Sequence, residues 1–177
     1  CELRSPTAFA GDFLWRQAAR VRFGAQTMNF ETAVQKQGDE LRIVGLAPAA
    51  GTIFSLVLNG TDLSFDSRLW RKLPFPPCMI VEDFQRSFFP LIAGDAGPLL
   101  DGPYVGDVAG ERVVEVWREG RLRQRIFFDR SMHEDRGVFI DYSGRDEISG
   151  DPRTVVIRNR RFGYELSVAT TAAEELR

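Results

Sequence analysis

Histidine and cysteine are the scarcest chemically versatile residues in this chain of 177: there is one histidine, His133, and there are two cysteines, Cys1 and Cys78. A single histidine makes a His-based metal site improbable, and no Cys/His spacing matches a zinc site. Two cysteines are too few for a disulfide framework, and Cys78 reads as a small buried apolar residue rather than a reactive thiol. No apolar run approaches the roughly 18 to 20 residues that a membrane-crossing helix needs. A large charge of one sign is also missing, since 23 basic residues face 25 acidic ones. Nothing here demands nucleic acid as a partner. The Arg-rich stretches Arg118 to Arg125 and Arg158 to Arg161 alternate with apolar residues and read as solvated strand faces rather than a DNA-binding stripe.

Catalytic signatures are absent as well. There is no GxSxG, phosphate loop or dinucleotide fingerprint. Ser131, His133 and Asp135 are close in sequence, but one flexible polar turn cannot easily aim three side chains at one point, and a solvated loop is the simpler reading. Glu82 and Asp83 are neighbours on a helix and so face different directions. The expectation is a protein that is not an enzyme, with no catalytic residues, metal or cofactor.

What is present is an ordinary globular share of apolar residues, 44%, with 14 phenylalanines. Pro6 to Trp15 reads as a short half-amphipathic helix or turn. From there the period changes to two: Ala19, Val21 and Phe23, then Met28, Phe30, Thr32 and Val34, then Leu41, Ile43 and Gly45 alternate with polar neighbours. This is the signature of half-buried strands in a meander. Thr52 to Leu58 is apolar on both faces, and Asn59-Gly60 turns it onto Asp62 to Asp66. Pro74, Pro76 and Pro77 stop the sheet. Ile80, Val81, Phe84 and Phe88 follow at helical spacing, with Glu82, Asp83, Gln85 and Arg86 on the other side; Pro77 suits the helix start and Pro90 its end. A second short helix is expected near Pro98 to Leu100. Strands resume after Gly102, at Glu111 to Arg118, Leu122 to Asp129, Gly137 to Tyr142, Arg153 to Arg160 and Tyr164 to Thr170, and Ala172 to Arg177 reads as a frayed helical end.

The expected fold is mainly β (α+β): a single curved antiparallel sheet forming an unclosed β-barrel of about ten or eleven strands with a helical lid. Residues 1–14 form a tether and short helix, and residues 15–171 one domain with a helical insertion at about 77–100. Sheet plus lid defines an apolar cavity lined by Phe23, Met28, Phe30, Ile43, Phe54, Leu56, Ile80, Phe84 and Phe88. The alternative is that these side chains simply fill a core. The chain starts at Cys1, as a bacterial lipoprotein does once its signal is cleaved, so lipidation is expected at Cys1. Glu2 in place of an Asp favours the outer membrane.

The order of a starting Cys, a short helix, a meander, a helical insertion and a second meander resembles the LolA/LolB-type lipoprotein carriers. The chain is closest to an uncharacterised LolB-like bacterial lipoprotein family found beside aryl-polyene and fatty-acid-like synthesis genes. The residues that carry this are Leu41-Arg42-Ile43-Val44-Gly45-Leu46-Ala47-Pro48, Gly51-Thr52-Ile53-Phe54-Ser55-Leu56, Leu73-Pro74, Ile80-Val81-Glu82-Asp83-Phe84-Gln85, Phe89-Pro90-Leu91, Arg158-Asn159 and Gly163-Tyr164-Glu165-Leu166. The resemblance implies a lipid-anchored protein on the periplasmic face of the outer membrane. It would take acylated lipoprotein or a lipid-like molecule as ligand, and a periplasmic LolA-type carrier as a further partner. It also implies a membrane-facing loop at Ala47, Pro48, Ala49 and Ala50. LolB presents a protruding Leu on that loop, where this chain has Ala49 and Ala50. Each missing CH₂ removes about 0.8 kcal/mol of membrane affinity, which implies a specialised paralogue. The alternative function is a non-catalytic scaffold or interaction lipoprotein with a filled barrel.

Overall fold

The computed structural model describes residues 1–68, 75–92, 100–128, 136–144 and 153–176. After a 3₁₀ turn at Pro6–Ala8 come strands β1 (Asp12–Phe23), β2 (Gln26–Gln37), β3 (Glu40–Ala47), β4 (Gly51–Asn59) and β5 (Asp62–Ser67). Helix α1 (Cys78–Phe88) follows, then β6 (Gly102–Val108), β7 (Glu111–Arg118), β8 (Arg121–Phe128), β9 (Val138–Ser143), β10 (Thr154–Asn159) and β11 (Tyr164–Leu176). The eleven strands make one sheet in the order β5-β4-β3-β2-β1-β11-β10-β9-β8-β7-β6. The ladder does not close, so β5 and β6 are its edges. The fold is therefore the expected mainly-β, unclosed antiparallel sheet with a helix.

By internal contacts the chain forms two compact units. The first comprises Cys1–Arg20, Met28–Phe89 and Val168–Arg177, and the second Val21–Thr27 and Pro90–Ser167.

In the first unit, period-two alternation decides what is buried. Phe13, Trp15, Gln17 and Ala19 of β1 point inward while Arg16, Ala18 and Arg20 are exposed. β3 pairs with β4 so that Leu41 faces Leu58, Ile43 faces Leu56 and Gly45 faces Phe54. Gly45 has a packing reason to be glycine, because a Cβ there would overlap the Phe54 ring. The register shifts just after it, between Gly45 and Leu46.

Three local expectations need correction. Residues 12–15 are strand, not helix: Gly11 at φ 73° separates the 3₁₀ turn from β1, and Phe13 and Trp15 then share one face. The segment Ala172–Leu176 continues β11 rather than forming a helical end. β6 is the strand that alternation alone missed. Its seven residues include two glycines and a proline, and the turn after it uses Ala109 (φ 49°) and Gly110 (φ 73°). Alanine gives little warning of a turn with two positive φ values. The expected helix at Pro98 to Leu100 and the Ser131, His133 and Asp135 turn lie outside the described residues, apart from Leu100, which is exposed.

A candidate apolar binding site

The first unit gathers its aromatic rings where β1, α1 and the N-terminal segment meet. Phe13 and Trp15, two residues apart on β1, stack at 4.2 Å between centroids. Phe84 lies 6.4 Å from Phe13 and 6.0 Å from Trp15, and Phe88 makes an edge contact with Trp15 at 5.1 Å. Helical spacing brings Phe84 and Phe88 onto one stripe of α1, 4.9 Å apart. Beside these rings, Val34, Leu41, Ile43, Leu56 and Leu58 form an aliphatic floor. Around it Leu3, Ala8, Phe9, Phe30, Ala47, Leu63, Ile80 and Phe88 are only partly buried. Such a surface offers contact and exclusion of water.

Polar groups that intrude on this face are satisfied. Gln17 accepts from the Thr32 hydroxyl at 3.2 Å. Lys36 is buried and donates to the Gly11 carbonyl at 2.7 Å and to Asp12 at 2.8 Å. The hydrogen bond from Lys36, seconded by the Gly38 N–H, holds the Asp12 carboxyl below its usual range.

Of the nine residues expected to line a cavity, seven come together here. Ile43, Phe54, Leu56 and Phe84 are in the core, and Phe30, Ile80 and Phe88 pack against it from its rim. Phe23 and Met28 do not join them: they flank the β1–β2 turn at 38% and 40% exposure. The strand period placed them inward, but at the end of β1 and the start of β2 both side chains are exposed. The residues missed are Phe9, Phe13, Trp15 and Phe89. Reading Phe9 to Trp15 as helix hid the alternation of Phe13 and Trp15. The loop Ala47–Ala50 is a tight turn, closed by the Ala50 N–H to the Ala47 carbonyl at 3.1 Å, with Pro48, Ala49 and Ala50 exposed.

The polar side of α1 is not in water, as its amphipathic pattern suggested. Asp83, Gln85, Arg86 and Ser87 are all buried. Arg86 pairs with Glu82 at 3.2 Å and Asp83 at 3.6 Å. Gln85 is covered by the N-terminal segment: its amide accepts from the Arg4 N–H at 2.9 Å and donates to the Arg4 carbonyl at 2.6 Å. Cys78 is half-buried and bonded to Cys1 in a disulfide, which corrects its reading as an unpaired apolar residue. A sulfur in that bond has no valence for a thioether lipid, so the lipidation expected at Cys1 and this disulfide exclude each other.

The second unit buries Arg125, which was read from the sequence as part of a solvated face, in a charge pair. Glu115 of β7 and Arg125 of β8 are register partners, joined at 2.9 Å with side chains 1% and 5% exposed. The Trp117 indole N–H donates to the second Glu115 oxygen at 3.2 Å, and the Arg125 guanidinium lies 5.9 Å from the Tyr142 ring centre. Burial pushes the Tyr142 hydroxyl up to about 12, against the opposing pull of Arg125. Arg125 can sit inside because its opposite charge is supplied directly across the strands. Arg158, by contrast, is half exposed and paired with Asp141 and Glu165.

Solved structures show that this architecture is a LolA/LolB-type fold. A LolA superfamily protein from Nitrosomonas europaea superposes with a TM-score of 0.55 at 13% identity, over 98% of this chain and 90% of its own. A DUF1329 family protein from Desulfovibrio piger gives 0.58 at 12%, over 96% and 88%. A putative outer membrane lipoprotein-sorting protein domain from Vibrio parahaemolyticus gives 0.51 at 11%, over 96% and 88%. At these identities the likeness is one of fold. The chain itself belongs to DUF3261, a family described as protein of unknown function, whose model matches residues 14–172. Among curated proteins none matches in sequence.

Proposed function

We propose that this protein binds acyl chains or a lipid-like molecule on the apolar face beneath α1, and hands acylated lipoprotein or lipid to the outer membrane. The observation that carries the reading is the join of an aliphatic floor to a rim of half-buried Phe9, Phe30, Ile80 and Phe88. Rim atoms already meet solvent, so a chain sliding between α1 and the strands gains burial at about 25 cal/mol per Å² without first breaking a polar network. Release needs only a shift of the helix, with no covalent step. The fold shared with a lipoprotein-sorting domain supports this choice of cargo.

Anchoring on the periplasmic face, docking of a LolA-type carrier and contact of Ala47–Ala50 with the membrane belong to the same proposal. An anchor on Cys1 requires its sulfur to carry a thioether in place of the bond to Cys78. The filled-barrel scaffold remains the rival, favoured by the near-zero exposure of Val34, Leu56, Leu58 and Phe89.

Native mass spectrometry of the full chain purified from cells separates the two. A discrete fatty-acid, phospholipid or polyene adduct, or saturable binding of an added acylated peptide weakened by Phe88→Glu, supports the carrier. A protein that emerges clean and refuses the peptide overturns it in favour of the scaffold.

A further inference from the structure

We propose that β5 receives the peptide part of the cargo: the extended segment that follows the acylated cysteine of a lipoprotein adds to its free edge as a further strand. The inference rests on the carrier reading above and names what holds the portion of the cargo that is not lipid.

β5 is an edge of the sheet, and among the described residues no strand pairs with its far side. Its turn from β4 has two residues, Gly60 and Thr61, between the register partners Asn59 and Asp62. A two-residue hairpin turn closes on a hydrogen-bonded pair. Asp62, Ser64 and Asp66 therefore direct their N–H and C=O groups at β4. The Arg68 N–H keeps that phase, donating to the Ile53 carbonyl at 2.9 Å. Leu63 and Phe65 point theirs the other way. Each offers one donor and one acceptor at the two-residue repeat of an extended chain. The other edge, β6, refuses such a partner. Its turn pairs Val108 with Glu111, so by the same phase Pro103 faces outward, and proline has no N–H to give.

The side chains of the same two residues continue the apolar floor. Leu63 faces Leu58 and Phe65 faces Leu56 across the ladder, and both of those partners are wholly buried. Leu63 packs against the core from its margin, whereas Phe65 is 37% exposed. The floor thus ends at a half-open ring, on the strand whose outer backbone groups also lack a ladder. An added strand covers Phe65 with every second side chain, and those side chains must be apolar. The rest lie beside Asp62, Ser64 and Asp66 on the opposite face, where the two exposed carboxylates favour lysine or arginine. Acyl chains ask only for contact and volume. The peptide that carries them asks for donors and acceptors, and β5 supplies both within the unit that holds the apolar face.

The test compares two synthetic probes on the full chain by fluorescence anisotropy. One is an S-dipalmitoylglyceryl cysteine amide, and the other is the same lipid continued by the peptide Ser-Lys-Val-Lys-Val. The peptide is expected to tighten binding about tenfold. Phe65→Ala keeps the outward amide and should keep a measurable part of that gain. Phe65→Pro removes the amide and should abolish the gain, with the peptide-free lipid bound equally by both variants. Hydrogen exchange on the unsubstituted protein gives a readout that no variant disturbs. Residues 62–67 are expected to exchange about tenfold more slowly with the lipopeptide, and not with the lipid alone. Equal affinity for the two probes, a gain as large in Phe65→Pro as in Phe65→Ala, or unchanged exchange over residues 62–67 overturns the edge and leaves the carrier reading in place. Failure of both probes to bind removes the carrier reading, and this one with it.

Discussion

The first unit fills its interior with rings and branched aliphatics, Phe13, Trp15, Ile43, Leu56 and Phe84 among them. The second sets Glu115 against Arg125 inside its own, where Val113, Phe127 and Ile140 are also buried. The two arrangements answer different demands. An apolar face is non-directional, so it tolerates a sliding helix or an inserted chain. A buried charge pair tolerates one register. A one-residue slip would put Glu115 opposite Gln124 or Ile126 and separate the two charges. The unit proposed to open is therefore the one whose contacts can be remade in more than one way.

This contrast can be broken most forcefully from the charged side. Glu115→Ala removes the carboxylate paired with buried Arg125 and is expected to cost about 3 to 5 kcal/mol, read from the urea midpoint. Glu115→Leu with Arg125→Met should recover most of that loss. A double variant as weak as the single one would mean the charges do not act as a pair. Next comes alkaline pH. The Tyr142 hydroxyl is raised from 10.0 to about 12 in the folded state. Its contribution is therefore complete below pH 10 and is lost as the pH rises towards 12, by about 2 to 3 kcal/mol. Tyr142→Phe should flatten that limb of the stability curve and abolish the late tyrosinate absorbance step.

The first unit should answer to volume instead. Gly45→Ala drives a methyl into the buried Phe54 ring and is expected to cost about 1 to 3 kcal/mol. Pairing it with Phe54→Leu should relieve the clash and give back part of the loss. The smallest effect is at acid pH. The depressed Asp12 carboxyl contributes stability above its unfolded value near 3.8, and this fades as the pH falls through the folded value. Asp12→Asn should remove a shallow acid step and leave the alkaline one in place.

Much of the first unit was legible because its strands alternate cleanly. Leu41, Ile43, Phe54 and Leu56 could be placed on one face from the sequence, and Phe84 and Phe88 on one stripe of a helix. Chemistry between distant residues was not legible. Glu115 and Arg125 each resemble an ordinary solvated strand charge, and only the β7–β8 register makes them partners. Arg4 and Gln85 are 81 residues apart, and nothing near either one signals the contact. Phe23 and Met28 show the opposite failure: alternation assigned them inward, yet beside the β1–β2 turn both are exposed.

The strand order has a consequence for the timing of synthesis. β1 is flanked by β2 and β11, and the Thr171 hydroxyl donates to the Arg16 carbonyl across 155 residues of sequence. While the chain emerges from the N-terminus, β1 has one neighbour and an open side. The middle of the sheet is sealed only when the last strand arrives. Contacts of such long separation form slowly, so the growing chain carries a bare strand edge along β1 until its last strand is made. A holding factor that masks β1 until β11 docks would shorten that exposure.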